Sequence, residues 1–204
     1  MTTPVENNTK RSRSRFWLLV AIFFAPLLVA FVLYYGGDWR PSGSTNHGDL
    51  IHPPRPLPTA GLHGLQGEVI AAEVLHGKWT LVYIGAGQCD VRCREALTLM
   101  RQTRLALNDD ASRIERLFLV TEPCCDQAYL DAEHAGLITA RADDATGKAF
   151  VGSFPRYAGR PVEQAGRIYI VDPLGNLMMS YAPAAEPKGL LEDLKKLLKL
   201  SHIG

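Results

Sequence analysis

The most strongly apolar stretch of the chain lies near its start. Residues 16–35 are twenty consecutive positions without a charged side chain. At a rise of about 1.5 Å per residue, a helix of this length spans the ~30 Å hydrocarbon core of a bilayer. A cleaved signal peptide is the alternative, but its apolar region usually covers only about 7–15 residues and ends at small residues. We therefore expect a retained single-pass transmembrane helix over 16–35.

Basic side chains mark the residues before this apolar span. They are Lys10, Arg11, Arg13 and Arg15. On the other side of the span only Arg40 lies close. Because basic flanks stay on the cytoplasmic side of a membrane, residues 1–15 are predicted to form a cytoplasmic N-terminus. The remainder of the chain then faces the periplasm, if the membrane is a bacterial inner membrane.

Residues 36–59 differ in composition from the segments on both sides. They are rich in glycine, proline and serine, and their apolar positions follow neither the two-residue period of a strand nor the 3.6-residue period of a helix. Such a stretch is typical of a linker. We expect a tether over 36–59 between the membrane helix and a domain at 60–204.

Beyond residue 60, short apolar runs alternate with amphipathic stretches. The predicted strands are 79–84, 116–121, 167–171 and 177–181, and the predicted helices are 91–107, 126–134, 143–151 and 188–200. A strand, a helix and a second strand in this order predict two parallel strands joined by a right-handed crossover. The turn sequence at 172–176 makes a hairpin of the last two strands. The pattern therefore predicts an α/β domain with a central mixed sheet flanked by helices.

Composition and charge exclude several classes of protein. The chain has 204 residues, of which 47% are hydrophobic and 21% are charged, so collagen-like and disordered chains are excluded. Four cysteines are too few for a small disulfide scaffold of this length. Because 22 basic residues balance 21 acidic ones, no nucleic-acid partner is expected.

All four cysteines are predicted to lie at one edge of the sheet. Cys89 and Cys93 follow the first of the two parallel strands, and Cys124 and Cys125 follow the second. The carboxyl ends of parallel strands meet at the edge where the sites of α/β sheets form. The vicinal pair could exchange disulfides with the first pair or share a metal ion with it; the alternative is two buried small apolar side chains.

Cys89 and Cys93 are four residues apart at the predicted start of a helix. That spacing stacks their side chains one turn apart on one face, near enough for a disulfide or a shared metal ion. The amides of the helix N-terminus would stabilise the Cys89 thiolate, and Cys93 would be the more buried partner. A static disulfide or two inert thiols would have the same spacing. The position at a strand-to-helix junction in an extracytoplasmic domain favours a functional pair.

Two stretches of the sequence resemble the Sco/SenC family. GKWTLVYIG at 77–85, followed by CDVRC at 89–93, is similar to the strand and the C-x-x-x-C site of that family. IYIVDPLG at 168–175 resembles its late strand and hairpin, and residues 190–200 resemble its last helix.

The resemblance implies both a fold and a function. Sco/SenC proteins have a thioredoxin-like fold on a single N-terminal membrane anchor and help to build the copper centre of cytochrome c oxidase. A cytochrome c oxidase subunit, or another thiol protein, is then the expected partner. By the same resemblance, Cys89 and Cys93 would be the copper-binding or redox thiols.

One position departs from the family pattern at a copper ligand. Gln164 stands about where the family supplies a histidine. Because a carboxamide is a poor substitute for imidazole, we expect Cu(I) held by Cys89 and Cys93, with Cys124 or Cys125 as a candidate third ligand, and weak binding of Cu(II). The alternatives are a thioredoxin-like thiol-disulfide oxidoreductase that binds no copper, and a scaffold that has lost the chemistry.

Overall fold

The described residues include a long apolar helix near the start of the chain. The computed structural model describes residues 8–36, 45–58, 61–70, 72–122, 127–183, 185–201 and 203. The chain divides into two compact units, Met1–Ser44 and Thr45–Gly204. The first contains helix α1 (Asn8–Gly36), and within the described residues only its segment Arg13–Gly36 is long and apolar enough to cross a membrane. The predicted apolar helix is thus confirmed as a candidate transmembrane anchor.

The second unit, here called the sheet domain (Thr45–Gly204), has a single mixed sheet. Its strands are β1 (Asp49–Pro56), β2 (Leu62–Gly64), β3 (Val69–Ile70), β4 (Trp79–Gly85), β5 (Ile114–Val120), β6 (Ile138–Arg141), β7 (Ile168–Val171) and β8 (Asn176–Tyr181). Its helices are α2 (Val91–Leu105), α3 (Gln127–Glu133), α4 (Ala145–Val151) and α5 (Pro187–Leu200), with short 3-10 helices at Ala72–Leu75, Asn108–Arg113 and Val162–Gln164.

The strand order places the end of β4 near the middle of the sheet. The order is β1-β8-β7-β4-β5-β6-β2-β3. Strands β4, β5 and β6 are parallel, whereas β7 and β8 run antiparallel to their neighbours. The register pairs Gly85 with Val120, so β4 and β5 end together. The predicted parallel pair, hairpin and mixed sheet are confirmed.

Apolar side chains fill both faces of the sheet. On one face, residues of β4 and β5 pack against α2 and α5, and Cys89 and Cys93 belong to this cluster. On the other face, different residues of β4 and β5 pack against α4 and the segment around Phe154. Every residue of β4 is buried. This explains the uninterrupted apolar run of its sequence, since a central strand covered on both faces has no solvent side.

The predicted tether at 36–59 is wrong over part of its length, because Asp49–Pro56 forms strand β1. Prolines are compatible with β1, since an edge strand has one side without ladder hydrogen bonds. The segment is held by partners distant in sequence: the buried Asp193 carboxylate accepts hydrogen bonds from the amides of His47 and Gly48, at 2.7 and 3.1 Å. The folded unit therefore begins at Thr45 rather than at residue 60.

Candidate disulfide redox site

A disulfide joins Cys89 to Cys93 just beyond the carboxyl end of β4. The Cα atoms of the two residues are 5.0 Å apart. Both side chains belong to the buried cluster beneath α2, and Cys89 is 4% exposed while Cys93 is 2% exposed. The bond therefore lies at the edge of the sheet where the sequence predicted a thiol site.

The local sequence builds a tight turn that brings the two cysteines together. Asp90 caps helix α2, and its Oδ1 accepts a hydrogen bond of 2.9 Å from the amide of Cys93. Cys89, one residue before the cap, has a φ of 43°, in the left-handed region that costs a non-glycine residue about 1–3 kcal/mol. Its amide donates to the carbonyl of Ala86, and its carbonyl accepts from Nε of Arg94 at 3.2 Å. These contacts fix the turn that carries the disulfide.

One sequence-based expectation about this pair needs correction. The cysteines are not stacked one turn apart on a helix, because α2 begins only at Val91 and Cys89 lies before it. The turn at Cys89 brings the sulfur atoms together instead. Cys93 is the more buried partner, as predicted, but only slightly, because Cys89 is buried as well. Cys93 does lie in the first helical turn, as predicted.

A cleft of about 250 Å³ opens beside the disulfide. It is lined by both cysteines, by Tyr83 and Asp90, and by Gln164. Gln164 ends the 3-10 helix Val162–Gln164, which precedes β7 and contacts β4. Gln164, which the sequence resemblance predicts to stand about where the Sco/SenC family has a histidine, therefore lines the same cleft as the cysteine pair.

Tyr83 borders the cleft as a neutral hydroxyl group. Burial, with a smaller contribution from the charge of Asp90, raises the pKa of Tyr83 to about 12. A Cβ atom at Gly85 would come within 2.9 Å of the Tyr83 ring, so only glycine allows the ring to pack there. Sequence reasoning missed Tyr83, although the alternation along β4 places it on the same face of the sheet as α2.

Asp90 also lines the cleft and carries a negative charge. The hydrogen bond from the Cys93 amide, aided by the nearby Arg92 guanidinium, lowers the pKa of this carboxyl. The ion pair between Asp90 and Arg92 has an N–O distance of 3.3 Å and is exposed. Positive charge close to the cysteines comes from Arg92, from Arg94 and from the amino end of α2.

Cys124 and Cys125 fall within residues 123–126, outside the described residues. The chain leading to them does approach the site, because the amide of Thr121 donates to the carbonyl of Gly85 at 3.0 Å. His134 is buried, and its Nε2 lies 2.9 Å from the Tyr129 hydroxyl. Searched over the described residues, the chain has no cluster of three or more histidine, cysteine or acidic side chains that could hold a metal ion.

An open groove of about 520 Å³ adjoins the cleft, and sequence reasoning did not predict it. It runs between α2 and the segment that leads from β8 into α5, and it shares Arg92 and Gly166 with the cleft. Val91, beside the disulfide turn, lines the groove and is 71% exposed. The groove therefore begins at the turn that carries the disulfide.

Comparison with known proteins identifies the family. Residues 79–201 match the family described as the transmembrane-like, thioredoxin-like, C-terminal domain. The chain belongs to this family. No curated protein matches the chain significantly.

Solved structures of Sco proteins share the fold. Copper-bound ScoI of Bradyrhizobium japonicum is 21% identical, with a TM-score of 0.53 and coverage of 70% of this chain and 98% of that one. Apo Sco1 of Thermus thermophilus is 18% identical, with a TM-score of 0.57 and coverage of 76% and 99%. BsSco, described as a cytochrome c oxidase assembly protein with a disulfide switch, is 11% identical, with a TM-score of 0.54 and coverage of 75% and 99%. The thioredoxin-like fold implied by the Sco/SenC resemblance is confirmed.

Proposed function

We propose that this chain is a membrane-anchored, extracytoplasmic assembly factor of the Sco type, in which Cys89 and Cys93 exchange electrons with the cysteines of a partner protein. The observation that carries the proposal is the disulfide at the end of β4, next to an open cleft and an apolar groove. A purely structural disulfide has no need of either opening. The structural likeness to a Sco protein with a disulfide switch supports the same reading.

In the reduced state, the Cys89 thiolate would start the exchange. It attacks one sulfur of a partner disulfide, so that a bond forms between Cys89 and that sulfur and the partner's own sulfur–sulfur bond breaks. The departing partner thiolate takes a proton from solvent. Cys93 then attacks Cys89, which restores the Cys89–Cys93 bond and releases the second partner thiolate. Two electrons have passed to the partner, which now holds two thiols. A separate extracytoplasmic dithiol protein must then supply two further electrons to reduce the Cys89–Cys93 disulfide.

Copper enters this proposal as cargo. The reduced pair offers two soft thiolates, a donor set that suits Cu(I), and the cleft adds the Gln164 carboxamide rather than an imidazole. After an extracytoplasmic dithiol protein has reduced the pair again, Cu(I) bound by Cys89 and Cys93 could be passed to the thiolates of a copper site whose cysteines the pair reduced in an earlier cycle. A copper centre of cytochrome c oxidase is the target that the Sco likeness supports.

A reduction potential separates a working pair from a static disulfide. We expect Cys89 and Cys93 of the full-length protein in detergent micelles to interconvert as a two-electron couple, with a midpoint between about −300 and −120 mV. The measurement is alkylation of free thiols after equilibration in glutathione buffers, and a variant without Cys124 and Cys125 isolates the signal of this pair. A pair that stays oxidised in every buffer would show a structural disulfide and contradict the proposal.

The proposed orientation can be tested by reporter fusions. The basic residues before helix α1 predict a cytoplasmic N-terminus, so a reporter attached after Gly204 should be active only outside the cytoplasm. An alkaline phosphatase fusion, which needs an oxidising compartment, should be active, and a green fluorescent protein fusion exported by the same route should stay dark. The reverse pattern would place the sheet domain in the cytoplasm and remove the oxidising setting of the proposal.

A further inference from the structure

A further cavity, at the end of the sheet domain away from the disulfide, has a strongly basic lining. It measures about 220 Å³, many times the ~10–15 Å³ that a single water needs. Arg101 and Arg104 contribute to it from the second half of α2, Arg116 from the first half of β5, and Glu133 from the end of α3. The described lining of this cavity therefore contains three positively charged side chains and one negatively charged side chain.

Arg116 is the central feature of this arginine cavity. The residue is 2% exposed and projects from a core strand, where its neighbours on the same face are apolar. Its Nη2 donates a hydrogen bond of 2.7 Å to the carbonyl of Ala135. Its Nε and Nη1 are buried and have no hydrogen-bond partner within the described chain. A buried cation with two unused donors is costly unless an acceptor is supplied.

Arg101 and Arg104 add positive charge beside Arg116. As hydrogen-bond donors themselves, they cannot accept from its unpartnered nitrogens. Arg104 donates from Nε to the carbonyl of Ile114 at 2.9 Å. Arg101 donates to the carbonyl of Glu133 and lies 3.6 Å from its carboxylate, while its own Nε is buried and unpartnered in the described structure. Burial, followed by the positive charges of Arg104 and Arg101, lowers the pKa of Arg116. The cavity thus has more positive than negative charge in its described lining, beside buried donors that have no partner in the described structure.

The nearby acidic and titratable groups do not supply the missing acceptor. Glu115, next to Arg116 on β5, pairs with Lys78 at 2.6 Å. Glu133 is more than half exposed and already pairs with Arg101. Burial and then the charges of Arg101 and Arg116 lower the pKa of His134, so its ring adds no charge near neutral pH.

We propose that the arginine cavity binds a small tetrahedral oxyanion, with inorganic phosphate as the reference ligand. Guanidinium groups match phosphate oxygens in geometry and donate charge-assisted hydrogen bonds. An oxyanion in this cavity would contact the guanidinium-bearing side chains that line it and would offset the repulsion among the three cations. The site is separate from the cysteine pair and does not depend on its proposed chemistry.

Calorimetric titration of the full-length protein in neutral detergent micelles tests the proposal. Phosphate is added at constant ionic strength, with chloride as the reference and sulfate as a second tetrahedral probe. We expect saturable phosphate binding, and we expect Arg116→Met to weaken it by about tenfold or more because one of the three guanidinium groups that line the cavity is lost. Arg55→Met is the matched control, since Arg55 is an exposed residue of the edge strand β1 and its removal should leave the affinity unchanged.

Glu133→Gln keeps the test decisive if Arg116→Met does not fold. Removing the one carboxylate that lines the described cavity should strengthen phosphate binding, by up to about fivefold for an exposed group. Misfolding cannot produce a gain in affinity. Absence of saturable binding, or equal weakening by Arg116→Met and Arg55→Met, would overturn the proposal. The reduction potential of the cysteine pair is expected to be the same in all of these variants.

Discussion

Cys93→Ser should accumulate mixed disulfides with partner proteins, roughly tenfold more than Cys89→Ser, because a mixed disulfide at Cys89 cannot be released once the resolving thiol is gone. The two cysteines are almost equally buried, so exposure alone does not assign the roles. Their backbone settings do differ. Cys93 lies on the buried face of α2 with Ala96 and Leu97, whereas Cys89 lies in the turn before the helix, between the exposed side chains of Gln88 and Asp90.

The trapping experiment uses full-length chains in their host membrane. Cells are quenched with acid, free thiols are alkylated, and covalent adducts are counted on non-reducing gels and identified by mass spectrometry. Repeating both variants in a Cys124→Ala, Cys125→Ala background excludes adducts formed by the vicinal pair. Equal trapping by the two single variants, or trapping only by Cys89→Ser, would contradict the assignment of Cys89 as the attacking thiol.

The sequence predicted the central part of the fold because the signals there are local. The apolar run at Trp79–Gly85 and the buried face of Val91–Leu105 each follow from the periodicity of their own residues. The helix begins where a capping aspartate, Asp90, stands in the sequence. These elements fix the position of both cysteines, so the site could be placed at the correct edge of the sheet.

The edge strand β1 could not be predicted, because what holds it is distant in sequence. Asp49 pairs with Arg167, a buried residue that also contacts the hydroxyl of Ser180 on β8. Asp193 on α5 anchors the residues before the strand. Nothing within the proline-rich stretch itself indicates these partners, and composition alone therefore pointed to a linker.

The geometry of the cysteine pair was mispredicted for a related reason. A four-residue spacing indicates helical stacking only if both residues are helical, and Cys89 instead adopts a left-handed backbone conformation that favours glycine. The contacts of its backbone with Ala86 and Arg94 stabilise that turn. Such a conformation at a non-glycine residue has no signature in one sequence.

Gln164→His should raise the affinity of the reduced protein for Cu(II) by about tenfold or more, the scale on which single groups at metal sites act. Gln164 lines the cleft that contains both cysteines, so an imidazole at this position could complete a site with two thiolates. Cu(II) prefers nitrogen and oxygen ligands, whereas Cu(I) is satisfied by the two sulfurs. The affinity for Cu(I) should therefore change much less than that for Cu(II).

The measurement is an anaerobic titration of reduced full-length protein against a chelator of known affinity, with thiolate-to-Cu(II) charge-transfer absorption as the spectroscopic signature. Gln102→His is the matched control, because Gln102 is exposed on α2 and lines the groove rather than the cleft. The charge-transfer band should grow in Gln164→His alone and disappear when Cys89 or Cys93 is also replaced. A tight Cu(II)–thiolate band in the unmodified protein would mean that another residue supplies the imidazole. An unmodified protein that binds neither Cu(I) nor Cu(II) while its disulfide still cycles would remove copper from the proposed function and leave thiol-disulfide exchange as the chemistry of this site.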